Sequence, residues 1–282
     1  MLVKPYTPWP ILLVEEGKEK NIILSDIHLG YELELVEAGI SIPSQTERFK
    51  EMLLRVIEET KPDRLIILGD LKHTIPKISS KEWIDISSFL REFEKSVETL
   101  LIIPGNHDGK ISYLSSPKTI ISSSRGIIIG KKEKIGLFHG HTWPSPKLFE
   151  AKMWVIGHNH PTIQFRGAFG FKTSKSIWVK APIEVEKLIY SFLKHRGITP
   201  GKNQTPKQLL AERYNVYAKC SELVIMPAFN DLLGGIPFNV KSKNELLGPV
   251  VRSDGVLLEK AEIFLLDGTY LGTLKELEKI SW

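Results

Sequence analysis

The sequence predicts an α/β fold, and three observations predict it. Short runs of Val, Ile and Leu alternate with segments whose apolar residues recur at helical spacing, the order expected of parallel strands joined by helices. Five of those runs stop abruptly at small groups of Asp, Asn and His. Open α/β sheets bind ligands just beyond the carboxyl ends of their strands. At 282 residues and 42% hydrophobic, the chain can bury a sizeable core.

Taken in order, Trp9 to Val14 and Lys20 to Ser25 are two apolar runs across a Gly17-containing turn, which reads as a β-hairpin. Gly30 to Ser41 reads as a mixed loop or short helix. Ser44, with Glu47 three residues on, predicts a helix start closed by a capping box. Phe49, Leu53, Val56 and Ile57 then share one helical face, and Pro62 stops that helix before a strand at Leu65. Ser79 and Glu82 repeat the capping pattern ahead of a stripe of Trp83, Ile86, Leu90, Phe93 and Val97. A strand from Leu100 to Ile103 follows. Ile127–Ile129, Ile135–Phe138 and Met153–Ile156 come with little helix between them, so a second sheet is expected.

Residues 181–219 differ in texture. Val185, Leu188, Ile189 and Phe192 make one helical stripe. Thr205-Pro206 reads as an N-cap with proline at the first helical position, ahead of a second stripe of Leu210, Tyr214 and Tyr217. With seven Lys or Arg against three Glu, this segment is expected to be a basic helical insertion within a single domain spanning 1–282. Strands return at Leu223–Met226, at Val256–Leu257, and in a hairpin from Ile263 to Leu274 across Asp267-Gly268.

The net charge of +5 and pI near 9.0 permit an anionic substrate or nucleic acid without demanding one. The single cysteine, Cys220, excludes an internal disulfide framework and fits a reducing cytosol; it is expected to be buried and inert. No apolar stretch of ~18 residues and no signal-peptide pattern occur, so a cytoplasmic protein without membrane association is expected.

The chemistry lies in the five loops. Ile22–Ser25 runs into Asp26-Ile27-His28, Arg64–Leu68 into Gly69-Asp70 and then His73, and Leu100–Ile103 into Pro104-Gly105-Asn106-His107-Asp108. Ile135–Phe138 runs into His139-Gly140-His141, and Met153–Ile156 into Gly157-His158-Asn159-His160. Seven of the eight histidines lie in these loops; the eighth, His195, reads as a surface residue. Imidazole and carboxylate donors without thiolate suit Zn, Mn or Fe rather than a structural cysteine site. The donors are too many for one ion and about right for two, which would clamp the attacking and leaving oxygens of a displacement at phosphorus. Two ions need a bridging carboxylate, and Asp70, alone on its loop, is the candidate.

Asp26-x-His28, Gly69-Asp70, Gly105-Asn106-His107-Asp108, His139-Gly140 and Gly157-His158-x-His160 occur in the order of the calcineurin-like metallophosphoesterases, which this chain resembles from about Ile22 to Pro161. Gly39-Ile40 to Pro43, His141, Pro161, Pro227-Ala228-Phe229 and Gly234-Gly235 extend the resemblance to predicted phosphohydrolases grouped with ligase-associated DNA-repair endonucleases. The resemblance implies a four-layer sandwich, with two mixed β-sheets face to face and helices outside. It implies that Asp26, His28 and His160 hold one metal, that Asn106, His139 and His158 hold another, and that Asp70 bridges them. His107 would touch the substrate as general acid. The cofactors it implies are two divalent ions, Mn²⁺ first, with Fe, Zn and Ni as alternatives.

His73 stands where many relatives carry a second acid; it and His141 are expected either at the substrate or orienting a neighbour. Asp108 is expected to support catalysis by orienting a histidine. The expected activity is a phosphodiesterase or nuclease on single-stranded DNA or RNA, with a metal-activated hydroxide as nucleophile. The alternatives are hydrolysis of small phosphoesters, mono- or di-, and a scaffold that has lost catalysis. Tyr190, Phe192, Tyr214 and Tyr217, interleaved with the bases of 181–219, are the expected stacking surface.

Overall fold

A computed structural model of the chain describes residues 1–74, 80–167 and 170–279. Strands β1 (Leu2–Pro5), β2 (Leu12–Glu16), β3 (Glu19–Leu24), β4 (Arg64–Ile67), β5 (Thr99–Ile102) and β6 (Ile120–Ile121) form one sheet in that spatial order. The β2–β3 hairpin is antiparallel, and β3, β4, β5 and β6 run parallel. Helices α1 (Tyr31–Glu37), α2 (Thr46–Thr60) and α3 (Ser80–Ser96) interrupt the strand sequence.

The second sheet contains β7 (Ile127–Ile129), β8 (Ile135–Leu137), β9 (Met153–Ile156), β10 (Pro161–Arg166), β11 (Lys172–Pro182), β12 (Glu222–Ile225) and β13 (Ile236–Pro237), in the order β13-β10-β11-β12-β9-β8-β7. The hairpin β14 (Glu262–Leu265) and β15 (Tyr270–Thr273) joins it through β11. Helices α4 (Val185–His195), α5 (Pro206–Tyr214), α6 (Pro249–Arg252) and α7 (Leu274–Lys279) complete this half. Both sheets are mixed. No helix among the described residues is long and apolar enough to cross a membrane.

Strand periodicity builds the layers, because successive side chains point to opposite faces. Ile23, Ile66 and Leu68 of the first sheet meet Leu137, Val155, Val224 and Trp178 of the second in one buried cluster between the sheets. Their neighbours Ile22, Leu24, Leu65 and Ile67 face the other way, onto Phe49, Leu53 and Val56 of α2 and Ile86, Phe89 and Phe93 of α3. On the second sheet Trp154 and Ile156 face Leu188, Ile189 and Phe192 of α4 and Leu210 of α5. The result is the expected four layers, with helices outside both sheets.

Two local expectations change. Helix α2 begins at Thr46 with Gln45 as its cap, which puts Glu47 one position short of where a capping box needs it. Ser44 Oγ instead donates to Thr46 Oγ1 at 3.3 Å. The capping pair that begins at Ser79 lies outside the described residues. The strand expected at Val256–Leu257 reduces to one bridge between Ile183 and Val256. By contrast α5 starts as read: Thr205 and Gln208 form a reciprocal capping box with Pro206 inside it.

The aromatic surface expected in 181–219 does not form as a unit. Phe192 is fully buried, and Tyr214 packs on the core beside it. Only Tyr190 and Tyr217 are exposed. Acids of the same segment also engage its bases, with Lys187 on Glu184 at 2.8 Å and Lys207 near Glu186 at 3.9 Å.

Candidate metal centre

Five loops meet at the carboxyl ends of β3, β4 and β5 in one sheet and β8 and β9 in the other. Backbone hydrogen bonds stitch them together. Asp26 N–H donates to the Gly69 carbonyl, His28 N–H to that of Asp70, and Gly157 N–H to that of His139. Of the eight described non-glycine residues with left-handed backbone, five are Asp26, His28, Asp70, His158 and His160, with φ between 40° and 69°. Each such residue costs ~1–3 kcal/mol and persists only where the surroundings hold it. The strain falls on the ligand candidates themselves.

Two glycines let these loops touch. A Cβ at Gly157 would overlap Ser25 Oγ and press on Asp26 Oδ2, and one at Gly105 would overlap Asp70 Oδ1. Only a hydrogen at those positions leaves room for the two carboxylates.

Those carboxylates lie within a histidine cage. Asp26 Oδ1 is 3.1 Å from His160 Nε2 and 3.8 Å from His139 Nε2. Asp70 Oδ2 is 3.1 Å from His139 Nε2 and 3.6 Å from His28 Nε2. The Nε2 atoms of His28, His139 and His160 are buried and lack an aligned hydrogen-bond partner, although carboxylate oxygens lie this close. Burying unpaired imidazole nitrogens against buried carboxylates is costly unless a cation joins them. The donor atoms of Asp26, His28 and His160 lie within 4.8 Å of one another, and so do those of Asp70, His139 and His158. Either group could hold a metal ion, and nitrogen and oxygen donors without thiolate fit Mn, Fe or Zn.

Electrostatics divide the imidazoles into two kinds. Burial, reinforced by the nearby His139, pulls His158 down to about 3 and His141 to about 4. Burial likewise takes His28 to about 3. All three are neutral near pH 7 and have a lone pair to offer. For His139 burial pulls the same way, but the charges of Asp70 and Asp26 outweigh it and hold the imidazole up at about 9. His160 is raised for the same reason, with Asp26 overcoming burial. Burial pushes both carboxyls up, yet His160 brings Asp26 down to about 2, and His139 holds Asp70 below the usual range.

His107 sits on the third loop, where its backbone N–H donates to Asp70 Oδ1 at 2.8 Å and its Nδ1 bonds the His73 carbonyl. Its ring lies 4.7 Å from that of His28. Asn106, its neighbour, is exposed on the same loop. His141 stands 5.4 Å from His139, ring to ring, with a buried Nδ1 that finds no partner. His73 touches His28 rather than open space.

Asp108 does not orient a histidine as expected. Its carboxylate accepts the backbone N–H groups of Leu71, Lys72 and Gly105, so it clamps the second loop to the third. His195 is exposed on α4, as read, and Cys220 is buried.

Sequence reasoning missed three residues that shape this centre. Asn159, the unread position of His158-x-His160, is fully buried. Its amide both donates to and accepts from the backbone of Leu247. Asn230 Nδ2 donates to the Ile27 carbonyl and holds the first loop. Glu34 on α1 reaches His73. Asn159 could have been found from its place between two histidines; the other two carry no local signal.

A family model described as calcineurin-like phosphoesterase matches residues 20–216. No curated protein matches the sequence. Among solved structures, the nuclease MPE of Pseudomonas putida is similar at 15% identity and a TM-score of 0.49, over 93% of this chain and 100% of that one. The phosphoesterase Yfce of E. coli is similar at 20% identity and a TM-score of 0.34, over 52% of this chain and 74% of that one.

Proposed function

The chain belongs to the calcineurin-like phosphoesterase family and is a metal-dependent phosphoester hydrolase, and from that premise we propose that it works with two divalent ions, Mn²⁺ first, on a phosphodiester of single-stranded nucleic acid. One observation carries the two-ion reading: Asp70 Oδ2 lies between His28 of one donor group and His139 of the other. Asp26, His28 and His160 would hold one ion. Asn106, His139 and His158 would hold the second, with Asp70 shared. When bound, such ions supply Lewis acidity, lowering the pKa of water towards ~7 and neutralising charge at phosphorus.

The protein supplies the rest. His107 is held through Nδ1 by a backbone carbonyl, which leaves Nε2 to give a proton to the departing oxygen. His141, with its unpartnered Nδ1, is available to a phosphoryl oxygen.

Support for a polyanionic substrate comes from the arm formed by β10 and β11. It leaves the site directly, since Pro161 follows His160. No Asp or Glu occurs from 161 to 183, whereas Arg166, Lys172 and Lys175 are exposed and have no ion pair among the described residues. Arg166 and Lys172 are directly opposed across the strands, an arrangement unfavourable without an anion. Phe165 and Phe171 are exposed beside them and can stack on bases.

The test is salt-dependent binding of a single-stranded oligonucleotide, with its hydrolysis in Mn²⁺. The slope of log K against log salt should be about −0.7 per phosphate neutralised. Replacing Arg166, Lys172 and Lys175 by Gln should flatten it by about 2 for the three cations, while hydrolysis of a small nitrophenyl diester continues. Absence of salt-dependent binding would remove the nucleic acid and leave a small phosphoester as substrate. A protein that binds no divalent ion would end the two-ion reading.

A further inference from the structure

A third cluster of potential donors, His28, His73 and His107, lies beside the centre, and its donor atoms too fall within 4.8 Å of one another. It has the composition of a third metal site. Its hydrogen bonds say otherwise. His73 Nε2 is 2.6 Å from Glu34 Oε2, and a carboxylate only accepts, so this nitrogen carries the hydrogen. In that tautomer the lone pair of His73 lies at Nδ1. That atom faces His28 Nδ1 at 3.1 Å, so His28 must bring the hydrogen there. The lone pair of His28 is thereby assigned to Nε2, the atom that lies 3.6 Å from Asp70 Oδ2. His107 Nδ1 is engaged by the His73 carbonyl. Every imidazole nitrogen of the cluster except His28 Nε2 and His107 Nε2 is accounted for, and these two belong to different tasks.

We propose that His73 is a positioning residue: anchored by Glu34, it fixes the tautomer and ring orientation of His28 and so sets up the ion held by Asp26, His28 and His160. This rests on the two-ion reading above. Histidine ligands generally donate their second N–H to a carboxylate or carbonyl. Here the Nδ1 of a second imidazole takes that place, with the carboxylate one step further out on α1. The same residue holds His107, but through its backbone, so the two duties separate on mutation.

His73→Phe keeps the ring volume and the carbonyl and removes both side-chain bonds. His73→Gln can restore both, with its amide oxygen accepting from His28 and its NH₂ donating to Glu34. Glu34→Ala removes only the anchor; Glu34 is mostly exposed, so the fold should tolerate the change. Mn²⁺ binding to the metal-free protein is the primary readout. The wild type should bind two ions, and His73→Phe should bind one of them ~10–100-fold more weakly. His73→Gln should recover most of that loss, and Glu34→Ala should show part of it.

The ratio of activity on an alkyl diester to activity on a nitrophenyl diester should not change in His73→Phe, because His107 keeps its carbonyl. Two ions bound at wild-type affinity in His73→Phe and Glu34→Ala would overturn the proposal. So would three ions in the wild type with one lost in His73→Phe, which would make the cluster a metal site. If His73→Phe does not fold, undiminished Mn²⁺ affinity in Glu34→Ala alone refutes the anchor. A wild type that binds no ion would fail the two-ion reading itself, an outcome distinct from the others.

Discussion

The backbone N–H of His107 donates to Asp70 Oδ1 at 2.8 Å, while the other oxygen of the same carboxylate faces His139 and His28. The residue proposed to join the ions therefore also fixes the loop that carries the proposed acid. Asp70→Asn should weaken both ions, since a neutral amide bridges cations poorly. It should also loosen His107, with turnover falling ~10²-fold or more, the scale expected when a reacting group is misplaced by about 1 Å. Metal analysis beside turnover checks this. Two tightly held ions and full activity in Asp70→Asn would remove Asp70 from the bridge.

His107→Ala should keep its metals and lose ~10²–10⁴-fold in kcat on an alkyl phosphodiester, the usual worth of general acid catalysis. A nitrophenyl ester needs little help with its leaving group and should suffer less. An equal loss on both substrates would contradict the acid role, and loss of metal would make His107 a ligand.

Gly157→Ala should damage the site more than the fold. The added methyl group overlaps Ser25 Oγ and meets Asp26 Oδ2 at 2.5 Å, so Asp26 must shift. Overpacking of this kind costs ~1–3 kcal/mol, small enough to leave a folded protein with a weakened metal group around Asp26. Gly109→Ala is the control, since a Cβ there meets nothing within 4 Å. Equal metal affinity in the two variants would show that the first and fifth loops tolerate separation.

Cys220 should report unfolding. Burial pushes its thiol up to about 12 from the usual 9.0, so the folded chain keeps a proton that the unfolded chain loses as pH rises. This contribution to stability is complete below about pH 9 and disappears as pH rises towards 12. At pH 8 a thiol reagent should modify Cys220 only as fast as the protein opens, and denaturant should accelerate the reaction sharply. Rapid stoichiometric labelling of the native protein would contradict the burial.

The sequence by itself determined the alternation of strands and helices and the loops that carry the candidate donors, while the four layers were implied by the family resemblance. Strand alternation is local, so Ile22 and Leu24 against Ile23 already state that this strand is covered on both faces. The histidine loops are legible because each follows its strand directly, and a strand end aims the next few residues at one edge of the sheet. Helix α2 shows the limit: Ser44 and Glu47 have the right spacing, but the chain enters the helix one residue later and the box cannot close.

Tertiary structure alone decided what each polar group does. Asp108 reads as a partner for a histidine because a histidine precedes it, yet its oxygens meet the Leu71 and Lys72 backbone, brought there by the parallel pairing of β4 with β5. Phe192 and Tyr214 read as a stacking surface beside basic residues, but α4 turns Phe192 to the sheet and α5 packs Tyr214 against it. Glu34 and His73 are thirty-nine residues apart and meet only because α1 folds back over the second loop. Spacing along a chain fixes which residues share a face or a loop end. Hydrogen-bond partners depend on distances between loops from different strands, which only the assembled sheets set.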